Sequence, residues 1–295
     1  MNRKKFVALC TSVAIMITGM MSSTVYAESN TASESFNYIE NMASAEDASQ
    51  KNDLPAVTSV DSENNIDVFA VYDAHKRYEE ASKPDSNEYI LKNGMDVSTF
   101  QGDIDFNAAK ESGIEFVLIR AGYGRETSQV DTRFHENIQK AKEAGLDCGA
   151  YWYSYALTPE QAVLEAEACY ETIKDYQFEY PIVFDIEEES QKRLSTATIS
   201  AIIESFCSTL EEKGYYVSLY SYASFLNSKV YQSTLEKYDV WVAHYGVSSP
   251  SYTGNYGMWQ YTSAGSVSGI KGNVDLDYSY KNYPYLMSKY HLNGF

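Results

Sequence analysis

The chain predicts an α/β fold, a modified TIM-like (β/α) barrel of eight strands and about five helices whose last strands lack intervening helices. Three observations lead there. From about Tyr89 onward, apolar runs of strand length alternate with longer amphipathic stretches, several of those stretches stop at a glycine, and the final three runs follow one another too closely for helices to fit between them. Alternation with short connections calls for a parallel sheet, and eight strands are enough to close it into a barrel.

The elements follow in order. Gly94–Ser98 is the first strand, and Phe106–Ser112 the first helix, ended by Gly113. Phe116–Arg120 is the second strand, followed by a helix over Thr132–Ala144 that ends at Gly145. The third strand, Gly149–Tyr155, leads to Pro159–Tyr176, where a proline opens a helix with a fixed backbone angle. Pro181–Glu187 is the fourth strand, and Thr196–Lys213 a helix closed by Gly214; a glycine at that place adopts the left-handed conformation that satisfies the last carbonyls. Tyr216–Tyr222 and a helix over Phe225–Tyr238 come next. Val240–Tyr245, Met258–Tyr261 and Val274–Tyr278 complete the barrel.

The N-terminal part reads differently. Met1-Asn2-Arg3-Lys4-Lys5, an apolar stretch from Phe6 to Met21 and small residues at Val25-Tyr26-Ala27 have the layout of a secretory signal peptide over residues 1–27. Residues 28–88 hold fourteen acidic against four basic side chains and are rich in Ser, Asn and Ala, the composition of a largely flexible acidic spacer. Residues 89–295 are the expected catalytic barrel. The formal net charge of −18 disfavours nucleic-acid binding. Three cysteines remain after the signal, Cys148, Cys169 and Cys207, an odd number without close spacing, so neither a disulfide framework nor a zinc cluster is expected. His75, His135, His244 and His291 form no metal-ligand spacing, and no metal or other cofactor is expected. The mature chain is expected to be exported, monomeric and not stably inserted in a membrane.

The chemistry concentrates in Pro181-Ile182-Val183-Phe184-Asp185-Ile186-Glu187. On a strand, side chains alternate between faces, so Asp185 and Glu187 point the same way from Cα atoms roughly 6.5–7 Å apart. Like charges that close drive their pKa values apart, so one carboxyl stays protonated while the other stays anionic. Glycosidic bond cleavage needs such a pair. Asp96, ending the first strand, and Asp275, beside the last, fall at equivalent heights around a barrel whose reactive groups gather at strand C-terminal ends. Tyr153, Tyr155, Tyr220, Tyr245 and Trp259 lie at or near strand ends, where flat rings stack on sugar faces. Arg120, closing the second strand, is a candidate for a substrate carboxylate or for an ion pair inside the barrel.

Several separated motifs occur together in one order: Gly94-Met95-Asp96-Val97-Ser98 with Gln101-Gly102, Phe184-Asp185-Ile186-Glu187, Trp241-Val242-Ala243-His244-Tyr245, Trp259-Gln260-Tyr261 and Val274-Asp275-Leu276-Asp277. In that order the chain resembles glycoside hydrolase family 25, the Chalaropsis-type lysozymes, over roughly Tyr89–Tyr285. The resemblance implies cleavage of the β-1,4 bond between N-acetylmuramic acid and N-acetylglucosamine of bacterial peptidoglycan. It implies Glu187 as general acid, Asp185 as its partner, and Asp96 and Asp275 as supporting acids, with Asp277 a competitor for the last role. It also implies Tyr153, Tyr245, Trp259 and Gln260 as cleft residues. Glu188 and Glu189 extend the acidic motif and read as solvated loop charges, and His244 stands where its side chain could touch substrate. The expected protein is a secreted, cell-wall-associated muramidase whose partner is the peptidoglycan glycan strand. A non-catalytic wall-binding protein and a hydrolase of another N-acetylated polysaccharide are the alternatives.

Overall fold

Seven strands run parallel and an eighth runs against them. The computed structural model describes residues 89–295; the signal peptide assigned to 1–27 and the spacer assigned to 28–88 lie outside the described residues. The strands are β1 (Tyr89–Val97), β2 (Phe116–Tyr123), β3 (Asp147–Tyr153), β4 (Ile182–Asp185), β5 (Val217–Tyr222), β6 (Asp239–Ala243), β7 (Met258–Gly265) and β8 (Val274–Lys281). They pair in chain order and close into a barrel. β8 is antiparallel to both β7 and β1, so it closes the barrel without a crossover helix. The α/β barrel with a helix-free final part is therefore the observed architecture.

Seven helices accompany the strands among the described residues: α1 (Phe106–Glu111), α2 (Phe134–Glu143), α3 (Pro159–Ile173), α4 (Thr196–Glu211), α5 (Ala223–Lys229), α6 (Gln232–Lys237) and α7 (Tyr283–Tyr290). Short polar side chains start several of them: Asp105, Thr158 and Ser195 accept the backbone N–H groups of Ala108, Gln161 and Thr198. Gly113, Gly145 and Gly214 follow helix ends with φ of 103°, 74° and 85°. The single helix expected over Phe225–Tyr238 is two. Val230 and Tyr231 are extended between α5 and α6, Val230 is buried, and the Tyr231 N–H donates to Ser200 Oγ of α4 at 2.9 Å, so tertiary contacts outweigh helical continuity there. The expectation did not include α7, which Asn282 caps and Pro284 opens.

The N-terminal end of the barrel is plugged by aromatic rings. Phe116 stacks on Tyr180 at 4.3 Å, and Tyr180 and Tyr216 both meet Tyr283 of α7. Gly94 is required beside this stack, since a Cβ there would lie 2.2 Å from the Phe116 ring. Asp239 gathers the polar tips: it accepts the hydroxyls of Tyr283 at 2.5 Å and Tyr216 at 3.3 Å, and Lys281 stands 3.2 Å away. The C-terminal segment completes the plug. Asn293 is fully buried with φ 55°; its side chain donates to the Tyr180 carbonyl at 2.8 Å and accepts the Tyr216 N–H at 2.7 Å. With that end filled, an opening remains at the opposite mouth, where the C-termini of β1–β7 emerge.

The loops at that mouth are tied together from beneath. Glu165 of α3 is 1 % exposed and accepts the Tyr155 N–H at 2.8 Å. Gln191 donates to Ser154 Oγ at 3.1 Å and the Ala156 carbonyl at 3.0 Å, and accepts the Glu188 N–H at 3.0 Å. The turn after β3 and the loop after β4 therefore move as one piece. Burial pushes the Glu165 carboxyl up to about 7, against the Ser154 hydroxyl and the Tyr155 and Ala156 amides, which favour its anion. Cys148, Cys169 and Cys207 are buried free thiols, and among the described residues no helix is long and apolar enough to cross a membrane.

Two outcomes follow from this packing. Asn293→Ala removes two buried hydrogen bonds and places alanine at positive φ, so urea denaturation should show a loss of about 2–4 kcal/mol with an unchanged slope. Glu165 has a folded-state value of about 7, above its ordinary 4.5, so ionisation opposes folding: the stability tied to it is complete below 4.5 and is lost as pH rises through 7. Melting temperatures recorded across that window should fall less steeply for Glu165→Gln than for the wild type.

Candidate active site

The open mouth leads into a pocket of about 280 Å³. Register explains who lines it. Cα pairing aligns Tyr153 with Asp185, Asp185 with Tyr220 and Tyr220 with Trp241 across β3–β6, and Asp96 with Asp275 across β1 and β8. Each of these side chains faces the pocket. Glu187 lies two residues past the end of β4. The Ile186 N–H donates to the Tyr220 carbonyl at 3.1 Å and its carbonyl accepts from Ser221 Oγ at 2.6 Å, so the β4 chain stays extended alongside β5 and Glu187 returns to the Asp185 face. Asp96, Asp185, Glu187 and Asp275 thus share one cavity.

A hydrogen-bond network orders the floor. Gln260 of β7 donates from Nε2 to Asp96 Oδ2 at 2.6 Å, while its Oε1 accepts the hydroxyls of Tyr220 at 2.7 Å and Tyr245 at 2.5 Å. Two phenols on the oxygen leave the amide nitrogen for the carboxylate, which fixes the amide's orientation. Trp241, whose ring lies 4.4 Å from that of Tyr220, donates from Nε1 to Asp277 at 2.9 Å.

Burial dominates the electrostatics. It holds Asp96 and Asp185 well above the carboxylate range, reinforced at Asp96 by Asp277 and Asp275, and at Asp185 by Glu187, with Arg120 opposing. Glu187 is raised by burial, with a hydrogen bond from Tyr222 and the charge of Lys192 drawing it back, and Asp275 is raised by burial. The nearby cations are already engaged: Arg120 binds Asp131 Oδ2 through Nη2 and Nε, each at 2.7 Å, and Lys192 pairs with Glu189 at 2.8 Å. A pocket with this balance shifts its carboxyls toward their protonated forms and favours positive charge arriving in a substrate. Among the described residues no group of three or more His, Cys, Asp or Glu is arranged to hold a metal ion.

Nine of the candidates read from the sequence line the pocket: Asp96, Asp185, Glu187, Asp275, Arg120, Tyr153, Tyr220, Tyr245 and Gln260. Tyr155 does not; it stands at the rim, 49 % exposed, with its ring 5.1 Å from that of Tyr153. Trp259 does not either, because alternation along β7 sends Gln260 inward and Trp259 outward. There Trp259 bonds the His244 carbonyl at 2.9 Å and packs on Tyr261 and Tyr278. His244 turns away as well, its Nδ1 accepting the Ser251 N–H at 3.0 Å. Glu189 is exposed as expected, whereas Glu188 is held by the Tyr153 hydroxyl at 2.9 Å. Arg120 combines its two readings, ion-paired to Asp131 yet lining the pocket.

Several lining residues had not been singled out. Tyr222 lines the pocket with Glu187, whose charge raises its phenol after burial, and follows Tyr220 by two, the strand period that would have identified it. Tyr151 precedes Tyr153 by the same interval. Phe100 is 81 % exposed on a turn locked by the reciprocal Ser98–Gln101 cap, with the Arg120 guanidinium 4.9 Å beneath its ring. A large apolar ring held rigidly in water beside a pocket marks a binding surface.

Comparison with known proteins places the chain in a family. The family model for glycosyl hydrolases family 25 matches residues 95–270, more than half of the chain. An autolytic lysozyme of Clostridium acetobutylicum is 36 % identical over 184 residues, 62 % of this chain and 54 % of that protein, so the chain spans only about half of that relative's length. A bacterial lysozyme from Streptomyces coelicolor has a solved structure similar at TM-score 0.55 and 30 % identity, covering 63 % of this chain and 90 % of that one. The modular autolysin LytC from Streptococcus pneumoniae, solved in complex with a synthetic peptidoglycan ligand, is similar at TM-score 0.57 and 29 % identity, over 64 % of this chain and 47 % of that one. The chain belongs to glycosyl hydrolase family 25.

Proposed function

We propose that this protein is a secreted peptidoglycan hydrolase that cuts the β-1,4 bond between N-acetylmuramic acid and N-acetylglucosamine. The observation that carries the reading is the convergence of Asp96, Asp185, Glu187 and Asp275 in one pocket whose nearby cations are paired elsewhere. Family membership and the names of the relatives support the substrate class. The leader over residues 1–27 supports export, and the wall would be the site of action.

In this mechanism Glu187 delivers the proton to the leaving glycosidic oxygen. Burial raises its pKa, the direction a general acid near neutral pH requires, and Tyr222 opposes that rise. Burial and then the Glu187 charge raise the Asp185 carboxyl, and Arg120 opposes them, the one nearby charge that draws Asp185 toward its anion. Asp185 and Asp275 then present negative charge to the anomeric centre as it becomes oxocarbenium-like, lowering the barrier because the sugar is neutral in the ground state. Tyr153, Tyr245 and Phe100 offer ring surface for the glycan, and the Gln260 network keeps Asp96 pointed into the pocket.

Purified bacterial cell walls test the reading. The wild type should clear them, release reducing ends and leave muramic acid at the new reducing termini by mass spectrometry; fragments ending in N-acetylglucosamine would point to another polysaccharide, and no release would end the enzymatic reading. Glu187→Gln should lower kcat by about 10²–10⁴-fold without lowering the melting temperature. Phe100→Ala should raise KM about two- to tenfold with kcat nearly unchanged, since its ring supplies stacking and no chemistry.

A further inference from the structure

An acid that reads in the sequence as a solvated loop charge is tied to the pocket wall. Glu188 Oε2 accepts the Tyr153 hydroxyl at 2.9 Å, and Tyr153 lines the pocket. Both ends of that bond are fixed by their neighbours in the chain. The Glu188 N–H donates to Gln191 Oε1 at 3.0 Å and the Gln191 N–H donates to the Glu188 carbonyl at 2.9 Å, which closes the turn that carries the acid. Gln191 is fully buried and donates from Nε2 to Oγ of Ser154, the residue after Tyr153, at 3.1 Å; the Ser154 N–H in turn donates to the Asp185 carbonyl at 2.9 Å. Lys192, the cation nearest to Glu188 in sequence, pairs with Glu189 at 2.8 Å and leaves Glu188 to the phenol.

A phenol carries one proton, so it donates once, while its oxygen still accepts. Burial, and then the bond to Glu188, push the Tyr153 phenol up, so it keeps its proton at neutral pH. With that proton given to Glu188, the oxygen can only accept from whatever enters the pocket, and donation to a carboxylate makes it a stronger acceptor. Turned inward instead, the same proton would serve one of the pocket carboxyls and draw it toward its anion. Asp185, the Cα partner of Tyr153 across β3 and β4, keeps Oδ1 buried without a hydrogen-bond partner, so the phenol does not serve that oxygen. Tyr220 and Tyr245 repeat the arrangement, both giving their protons to Gln260 Oε1, at 2.7 and 2.5 Å. Three phenols of the pocket are thereby acceptors toward a ligand, and the sugars of a glycan bring hydroxyl and acetamido N–H donors that match them.

We infer that Glu188 is a positioning residue for the proposed hydrolase: by taking the Tyr153 proton it commits the phenol oxygen to accept a hydroxyl or amide N–H of the glycan. Glu188 is not among the lining side chains and acts through Tyr153. The kinetic consequence rests on the hydrolase reading; the hydrogen bond does not.

A double-mutant cycle on purified cell walls tests this role. Glu188→Ala and Tyr153→Phe should each lower kcat/KM about tenfold, and the double variant should lie within about twofold of Tyr153→Phe, because removing the phenol leaves Glu188 nothing to orient. Glu188→Gln should stay within about threefold of the wild type, since its amide oxygen still accepts the phenol proton. Losses that multiply in the double variant, an unimpaired Glu188→Ala, or a Glu188→Gln as impaired as Glu188→Ala overturns the positioning role. Should Glu188→Ala fail to fold, Glu188→Met, of similar length and without an oxygen to accept the proton, takes its place in the cycle. Carbon NMR of protein labelled at the tyrosine Cζ reads the bond itself: the resonance that Tyr153→Phe removes should shift in Glu188→Ala, and an unshifted resonance overturns the inference whatever the activity. A wild type inactive on cell walls would defeat the hydrolase reading and the kinetic role with it, while that resonance still shows where the phenol proton goes.

Discussion

Repulsion among buried carboxyls is the constraint around which this barrel is organised. Asp96, Asp185, Glu187 and Asp275 line one pocket of a closed sheet, Asp277 is buried on the strand that carries Asp275, and the nearby cations, Arg120 and Lys192, are bound to other acids. Left to themselves such groups would swell the site with water or unfold it. The structure holds two of them by hydrogen bonds from neutral donors: Gln260 to Asp96 and Trp241 to Asp277. Those donors sit on strands, whose positions are over-determined by pairing on both sides. Crowding of like charges in this way favours positive charge in whatever the pocket holds.

The two ends of the barrel perform opposite tasks with similar residues. At the closed end, aromatic rings and the Asp239 cluster meet Lys281, so charge is matched. At the open end, aromatic hydroxyls meet several acids and one cation, Arg120, which is itself bound to Asp131. Rigidity at the first end is what allows tension at the second, since a stiff sheet does not relax by separating its strands.

Much of this was legible in the sequence because strands and helices announce themselves by period. The Asp185–Glu187 spacing, the acid at Asp96, the glycine stops after α1, α2 and α4 and the crowded final strands are local patterns, and the barrel follows from them. The acids were found in one pocket for the same reason. What could not be read is tertiary. Trp259 and Gln260 are adjacent, and which faces inward depends on the phase of β7 against its neighbours, not on either residue. The split of the helix at Val230 depends on Ser200, 31 residues away in sequence from its hydrogen-bond partner Tyr231. Glu188 looks like its exposed neighbour Glu189 until Tyr153 is brought across from β3. Phe100 is a plain aromatic in sequence, and its exposure shows only after Arg120 and the capped turn are in place.

The pairing of β7 with β8 slips between Gln260 and Thr262 and again between Thr262 and Gly265. These irregularities set the parity of everything β8 presents. Asp275 and Asp277 face inward together, and Leu276 and Tyr278 outward, only while the hairpin keeps its present count. Losing one residue there would exchange the two sets at a stroke, lining the cavity with a leucine and a tyrosine and stranding both acids on the outer wall. The irregular stretch from Gln260 to Gly265 therefore acts as a gauge block for the whole acidic assembly.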